Sequence, residues 1–237
     1  MELTFSENLM KSVIKYNIPI NSSMCHKLVK FKDLMLEYNK SHNITAITEE
    51  NDIIFKHFID SLLCINEIRD NTDVLDIGCG GGFPSVPLSI AKENVKFIAM
   101  DSVGKKTEFV KLAKKELNID NLTVINSRIE DFIENNREKF DYVVARAVAP
   151  LNTLIEYAIP YLKIGGKLIA YKGSNYEEEL KEAEKALNTL KCELDEVFDY
   201  YIEEIDRTSY ILTIQKLEKT DTKYPRKQNK PRLNPIK

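Results

Sequence analysis

A glycine-rich segment in the first half of the chain has residue types and a spacing that suit cofactor binding. It runs Val-Leu-Asp-Ile-Gly-Cys-Gly-Gly-Gly-Phe-Pro from Val74 to Pro84. Glycines let the backbone turn sharply with positive φ and let a ligand approach the main chain closely. Pro84 fits the first turn of a helix, where no backbone N–H is lost. The segment predicts a buried strand, a binding loop and a helix, with the ligand outside the carboxyl end of the strand.

Two classes of cofactor compete for such a loop. A dinucleotide-binding loop follows G-x-G-x-x-G, and Gly78 and Gly80 match its first two glycines, but the third position holds Phe83. Asp76, two residues before Gly78, suits a cationic ligand, either by orienting the loop or by meeting a methionyl ammonium through water. We therefore expect S-adenosylmethionine rather than NAD. A plain strand-to-helix turn is the alternative.

Acidic residues after the next two β-rich runs extend the predicted cofactor site. Asp101 follows Gly78 by 23 positions, close to the spacing of about 20 residues at which an acid receives ribose hydroxyls. The alternative for Asp101 is an N-cap of the following helix. Further on, Ile129 with a neighbouring backbone N–H could hold adenine, with Glu130 or Asp131 near the adenine amino group. Here the alternative is an ordinary helix start enriched in acids.

The order of helical and β-rich segments indicates how these residues are positioned. After Asn71, β-rich runs alternate with helical stretches, which predicts a parallel sheet with helices on both faces. Two final β-rich runs, 194–202 and 209–217, lack a helix between them and predict a hairpin. The expected fold is α/β, a Rossmann-like S-adenosylmethionine-dependent methyltransferase sheet, mostly parallel with one antiparallel strand near the C-terminal edge. Apolar residues three and four apart predict three earlier helices, over residues 8–16, 22–39 and 51–69.

We divide the chain into a helical N-terminal extension (residues 1–70), a methyltransferase domain (71–217) and a basic tail (218–237). The net charge is −3, yet the last fifteen residues hold six Lys or Arg and no acid. No export signal and no apolar run of about 20 residues is found, so we expect a cytoplasmic protein without a membrane span. The four cysteines lack metal-ligand spacing, which predicts free thiols and no metal.

Several blocks of the sequence together resemble one family, the RsmG/GidB (glucose-inhibited division protein B) methyltransferases of guanine N7 in small-subunit ribosomal RNA. The resemblance covers nearly the full chain. Its blocks are His42-Asn-Ile-Thr-Ala46, Lys56-His-Phe-Ile-Asp-Ser-Leu62, Asp76 to Pro84, Asp101-Ser with Lys105-Lys106, Phe140 to Ala149, Tyr171-Lys-Gly173 and Tyr224-Pro-Arg226. The tail departs from the family pattern, because Asn229 stands at a usual glycine and Leu233 at a usual lysine. Asparagine tolerates the left-handed backbone conformation, so the turn at Asn229 should survive.

The resemblance implies both a cofactor site and an acceptor. The implied acceptor is one guanine in the 530 stem-loop of 16S ribosomal RNA, as naked RNA or within a small-subunit particle, and we expect a monomer. Two other functions stay open: a methyltransferase acting on a small molecule or a protein, and a non-catalytic module that binds the cofactor or RNA. The implied cofactor residues are Gly78, Phe83, Ile129, Glu130 and Arg146.

Guanine N7 carries a lone pair and no proton, so its methylation needs no general base, and the sequence shows no obvious one. The task left is positioning and charge control. Arg146 lies in an apolar run and needs a partner. That partner could be the guanine O6 edge, a phosphate or the cofactor carboxylate; the alternative is an ion pair with Asp76 or Glu130. His57 and Asp60 share a helix face and either support the cofactor loop or pack the helix.

Cations late in the sequence are candidates for contacts with RNA. Lys172 could instead be an ordinary lysine at a strand end, and the tail could instead be a solvated end. As a clamp on phosphates, the tail would make RNA binding strongly salt-dependent. The candidate RNA-binding residues are Arg146, Lys172, Arg226, Lys227, Lys230 and Arg232.

Overall fold

The computed structural model describes residues 3–237, so the first two residues of the predicted extension lie outside the described part. Its centre is a seven-stranded sheet with the order β3-β2-β1-β4-β5-β7-β6. All neighbouring strands are parallel except β7, which is antiparallel to both β5 and β6. The predicted hairpin and antiparallel strand are thereby confirmed. The strands are β1 (Asp73–Ile77), β2 (Lys96–Asp101), β3 (Leu122–Asn126), β4 (Phe140–Arg146), β5 (Leu162–Lys172), β6 (Cys192–Ile202) and β7 (Arg207–Lys216).

Helices cover both faces of the sheet, as the alternation of segments predicts. One face carries α5 and α6 together with the N-terminal helices, and their apolar side chains form one core with that side of the sheet. The other face carries α7, α8 and α9 over a second core. These helices are α5 (Ser85–Ala91), α6 (Gly104–Glu116), α7 (Ile129–Phe132), α8 (Leu151–Ala158) and α9 (Tyr176–Leu190).

The N-terminal extension confirms two predicted helices and corrects the third. Helix α1 (Phe5–Lys15) begins with a capping box between Thr4 and Glu7, and α2 (Ser22–His42) is capped by the Asn21 side chain. The third segment, predicted as helical over residues 51–69, is helical without a break only from Glu50 to Leu62, and it is not a regular α-helix throughout. It is divided into α3 (Glu50–Asp52), a π-helical segment (Ile53–Ile59), α4 (Asp60–Leu62) and a 3-10 turn (Ile65–Glu67).

The reason for this division is burial on several sides of the segment. The spacing of three and four residues places Ile54, Phe58, Leu62 and Ile65 on one face, and these side chains are buried, but Ile53, Phe55 and Ile59 are buried as well. The backbone geometry of a segment that is buried on several sides depends on the elements packed around it, and not only on one apolar face. π-helical turns often occur at functional sites. The polar residues of this segment belong to the site described below.

The tail lies against the second core. Its last helix, α10 (Lys230–Leu233), begins after Asn229, whose φ of +58° confirms the left-handed conformation expected there. The Thr153 hydroxyl donates a hydrogen bond to the Pro231 carbonyl, 3.1 Å away, and so ties α8 to the tail. No helix among residues 3–237 has the length and apolar character needed to cross a membrane.

Candidate active site

A cleft of about 500 Å³ opens where the carboxyl ends of the parallel strands meet the glycine-rich loop. Its volume lies within the range of small-molecule and cofactor pockets, roughly 300–1,000 Å³. The cleft brings together residues from six segments: those that follow β1, β2, β3 and β4, the helix α8 and the tail. Its lining includes Gly78, Asp101, Lys106, Arg128, Ile129, Glu130, Val148, Tyr157, Asn229 and Arg232.

The glycines of the loop are required by backbone angle and by space. Gly78 has a φ of +73°, and a Cβ there would lie 2.9 Å from Cγ2 of Val148. Gly82 has a φ of +93°, and a Cβ there would lie 2.6 Å from Cγ2 of Val86. Side chains other than hydrogen are disfavoured by such angles and by such contacts. The loop is therefore closely packed as well as sharply turned.

Asp101 fixes the loop to the start of the α6 segment. Its Oδ2 accepts a hydrogen bond from the Gly80 N–H (2.9 Å), and its Oδ1 accepts one from the Val103 N–H (2.8 Å). The N-cap of α6 is Val103, so the alternative of Asp101 as the N-cap is wrong. Each carboxylate oxygen has more than one lone pair, so both keep capacity for a further donor.

Asp76 is fully buried beneath the loop. Its Oδ2 accepts a hydrogen bond from the Ser85 N–H, 3.2 Å away, at the start of α5. Its Oδ1 has no hydrogen-bond partner among the described residues. Burial raises the pKa of Asp76 to about 7, although the Ser85 hydrogen bonds oppose that rise. Asp76 thus orients the junction between the loop and α5.

Ile129 and Glu130, the first residues of α7, line the same cleft as Asp101. The Ile129 carbonyl accepts a hydrogen bond from the Tyr161 hydroxyl, and Glu130 is buried at the cleft wall. The cleft therefore brings together Gly78 of the loop with Asp101, Ile129 and Glu130 at the ends of β2 and β3, whereas the predicted residues Gly80, Phe83 and Arg146 are not among the residues that line it.

Arg146 ends β4 and pairs with the N-terminal extension. Its Nη1 donates to Oδ2 of Asp60 (2.9 Å) and to the Lys56 carbonyl (2.8 Å). Its guanidinium carbon lies 5.3 Å from the centroid of the Phe83 ring. The alternative of an ion pair with Asp76 or Glu130 is wrong, because the guanidinium forms its ion pair with Asp60 instead.

His57 lies between Arg146 and the loop. Its Nδ1 is 3.2 Å from Nη2 of Arg146, its Nε2 is 3.0 Å from the Thr45 hydroxyl, and its ring stacks on Phe83 at 4.1 Å. Burial, assisted by the Arg146 charge, lowers the pKa of His57 to about 3. Arginine can only donate, so Nδ1 of this neutral ring accepts and the Nε2–H donates to Thr45.

The predicted RNA-binding cations occupy two different environments. Lys172 is buried and donates to Glu179 (2.6 Å) and the Ala149 carbonyl (3.0 Å), so it supports the segment after β4. Arg226 pairs with the fully buried Glu156. Lys227 pairs with Glu134 at the surface.

The other two tail cations face outward. Arg232 is exposed at the edge of the cleft and donates to the Val148 carbonyl, 2.7 Å away. Lys230 is exposed and has no salt-bridge partner within residues 3–237.

Sequence reasoning missed several residues of the site. Glu156 and Glu179 hold the predicted cations Arg226 and Lys172, and Arg128 lines the cleft at an exposed position. One signal was available: Glu156 is the one charged residue of α8, whose other residues are uncharged, and a basic tail exists elsewhere in the sequence. Within residues 3–237, no group of three or more His, Cys, Asp or Glu side chains is arranged to hold a metal ion.

Solved structures share this architecture at low sequence identity. M. jannaschii TYW2 in complex with AdoMet superposes with a TM-score of 0.57 at 13% identity, over 73% of this chain and 80% of that chain. The YcgJ protein of Bacillus subtilis superposes with a TM-score of 0.53 at 15% identity, over 68% of this chain and 100% of that chain. The sheet order and these neighbours define the class: a Rossmann-like methyltransferase fold.

Sequence comparison shows the family within that class. The model of the GidB family, described as rRNA small subunit methyltransferase G, matches residues 24–207. The Ribosomal RNA small subunit methyltransferase G of Alkaliphilus oremlandii is 41% identical over 93% of this chain and 94% of its own length. That of Fusobacterium nucleatum is 39% identical over 98% of both. The chain belongs to the GidB family of small-subunit rRNA methyltransferases.

Proposed function

We propose that the protein transfers a methyl group from S-adenosylmethionine to N7 of a guanine in the 530 stem-loop of 16S ribosomal RNA. The observation that carries this proposal is a cofactor-sized cleft with Gly78, Asp101 and Glu130 on its wall, in a chain that belongs to the GidB family. In the reaction the N7 lone pair forms a bond to the methyl carbon while the carbon–sulfur bond breaks. The positive charge passes from sulfur to the guanine ring, so no proton has to be removed.

The residues of the cleft fit S-adenosylmethionine. The carboxylate of Asp101 suits the two ribose hydroxyls, which donate, and Glu130 suits the amino group of adenine. Ile129 offers an apolar contact and a backbone group at the same wall. Gly78 and Gly80 allow close approach of the cofactor to the main chain, and Asp76 beneath them keeps the loop in place. Once bound, this cofactor supplies the electrophilic methyl group.

Arg146 supports binding of the methionyl carboxylate. A guanidinium has five N–H donors. In Arg146, both N–H groups of Nη1 and one N–H group of Nη2 donate to acceptors on the N-terminal extension. The Nε–H and the second Nη2–H have no acceptor among residues 3–237. The side chain keeps 16% of its surface exposed, beside Phe83 at the end of the glycine-rich loop. Contact of Arg146 with the guanine O6 edge is the alternative.

The titratable groups near the loop support a reaction without a base. His57 is neutral, but its one acceptor atom faces Arg146 and its one donor faces Thr45. Cys79 is buried, and burial raises the pKa of its thiol well above the ordinary value, so it is a poor nucleophile. Neither His57 nor Cys79 is therefore suited to act as a base or a nucleophile, and methylation at guanine N7 needs neither.

The rim of the cleft is suited to RNA. Lys106 and Arg128 line it and make no ion pair with a described residue, and Arg232 reaches it from the tail. We propose that Arg128, Lys230 and Arg232 meet phosphates directly. Lys172, Arg226 and Lys227, which are already paired, then act by holding the tail and the segment after β4 in place.

The experiment is methyl transfer from labelled S-adenosylmethionine to unmodified small ribosomal subunits. Naked 16S RNA, a protein pool and a metabolite pool serve as competing acceptors. We expect label in subunit RNA and its recovery as 7-methylguanosine after digestion to nucleosides and mass spectrometry. Label in protein or metabolites, with none in subunit RNA, would overturn the proposed acceptor. Label in RNA at a different nucleoside would overturn the N7 assignment.

A further inference from the structure

Three groups from one short segment of the N-terminal extension surround the Arg146 guanidinium. The Lys56 carbonyl, the Asp60 carboxylate and the His57 ring all accept from it, at distances of 2.8, 2.9 and 3.2 Å. These acceptors precede Arg146 by 86 to 90 residues in the chain. The segment that holds them is the π-helical turn and the first residue of α4.

The π-helical turn makes the Lys56 carbonyl available. In an α-helix, the Asp60 N–H would donate to the carbonyl four residues earlier, which is that of Lys56. Here the Asp60 N–H donates to the carbonyls of Phe55 and His57 instead. The Lys56 carbonyl thus accepts from Arg146 rather than from Asp60. The same departure from α-helical geometry that the sequence did not predict therefore creates one of the three acceptors.

The two side chains of this segment are themselves held in place. Oδ1 of Asp60 accepts from the Ser209 hydroxyl on β7, 2.7 Å away, while its Oδ2 pairs with Arg146. The His57 ring is fixed by Thr45 on one side and by Phe83 on its face. A buried polar network in which the members are hydrogen-bonded is rigid, and helix packing alone would be served as well by apolar side chains.

We infer that Asp60 and His57 are positioning residues, which orient Arg146 so that its two remaining donors meet the methionyl carboxylate of the cofactor. The inference rests on the proposed cofactor but not on the proposed acceptor. It gives the N-terminal extension a part in cofactor binding, although none of Asp60, His57 and Arg146 is among the residues that line the cleft.

Two ligands separate this role from a purely structural one. S-adenosylhomocysteine carries the amino-acid carboxylate, whereas 5′-methylthioadenosine has the same adenosine and thioether without it. We expect Asp60→Asn to weaken binding of S-adenosylhomocysteine about tenfold, since a misdirected charged hydrogen bond loses roughly 1.5 kcal/mol. Binding of 5′-methylthioadenosine should change less than about twofold. Calorimetric titration with each ligand measures both effects. Arg146→Ala removes the guanidinium itself and should give the largest loss of affinity for S-adenosylhomocysteine.

Further variants keep the test independent of folding failure. Ser209→Ala removes a support of Asp60 while leaving the ion pair, and should give a smaller loss for S-adenosylhomocysteine alone. His57→Asn keeps an acceptor near the position of Nδ1 and should bind S-adenosylhomocysteine better than His57→Ala. The control is Glu138→Gln, which breaks the ion pair with buried Lys216 beyond the opposite end of β4. It should lower the melting temperature and leave both affinities unchanged.

Two results would overturn the inference. One is unchanged affinity of the folded Asp60 and Ser209 variants for S-adenosylhomocysteine; the other is an equal loss of affinity for both ligands. A wild-type protein that binds S-adenosylhomocysteine but methylates no subunit RNA contradicts only the proposed acceptor. The binding test then still decides the role of Asp60 and His57.

Discussion

The guanidinium of Arg226 in the tail forms an ion pair with the fully buried carboxylate of Glu156 in α8. Nε and Nη2 of Arg226 both donate to this carboxylate, at 2.7–3.1 Å, and the Arg226 N–H donates to it as well, at 2.8 Å. The pair joins the tail to the helix that borders the cleft. A tail which looks like a solvated end in the sequence is therefore attached through the interior of the fold.

Arg226→Ala should strongly destabilise the protein. Removing one partner leaves Glu156 charged and buried, and such losses typically cost about 3–5 kcal/mol. Urea unfolding measures the difference in free energy. The matched control is Lys227→Ala, whose partner Glu134 is as exposed as Lys227 itself, so the loss of stability there should be much smaller than for Arg226→Ala. Equal effects of the two variants would contradict the structural role of Arg226.

Arg128→Ala with Lys230→Ala should weaken RNA binding without changing the affinity for S-adenosylhomocysteine. Each lost phosphate contact should make the slope of log affinity against log salt shallower by about 0.7. Binding of small subunits or their RNA at several salt concentrations measures that slope. Lys96→Ala is the control, because Lys96 is exposed at the amino end of β2, away from the cleft. A slope unchanged in the double variant would remove both residues from the RNA interface.

Asp76→Asn should stabilise the folded protein more at pH 8 than at pH 5. The pKa of Asp76 is raised from about 3.8 to about 7 on folding, so the folded state keeps a proton that the unfolded state releases. The contribution of Asp76 to the free energy of unfolding is therefore largest below pH 3.8 and is lost as the pH rises through about 7. Asparagine, neutral throughout, avoids that loss.

Melting temperatures of wild type and the Asp76 variant at both pH values test this prediction. The pKa of His57 is lowered on folding, so its contribution to stability rises with pH instead of falling. Because His57 is present in both proteins, this contribution cancels in the difference between their melting temperatures. A difference in melting temperature that is the same at pH 5 and pH 8 would show that Asp76 is ionised in the folded state.

Gly78→Ala should impair both folding and cofactor binding. The φ of +73° disfavours a side chain by about 1 kcal/mol, and the added Cβ meets Val148 at 2.9 Å. Adding Val148→Ala relieves the contact but not the backbone angle, so the double variant should recover only part of the stability. Denaturant unfolding and titration with S-adenosylhomocysteine give the two measurements. Full recovery in the double variant would show that the backbone angle costs little.

Patterns local to the sequence were sufficient to predict the sheet and the glycine-rich loop. Alternating β-rich and helical runs predicted the parallel sheet, and two β-rich runs without a helix between them predicted the antiparallel strand. The glycine spacing predicted the loop, and Asn229 has the left-handed angle expected of it. These features follow from the sequence because backbone preferences and hydrophobic periodicity act over a few neighbouring residues.

Only the tertiary structure decided which charges meet. The sequence indicated that Arg146 needs a partner, but not that Asp60, 86 residues earlier, would be that partner rather than Asp76 or Glu130. In the same way Glu156 pairs with Arg226 across 70 residues. A carboxylate has no local signature for a particular guanidinium, so such pairs are selected by packing. The π-helical turn at Lys56 and His57 has the same origin, because burial on several sides outweighed the helical periodicity of that segment.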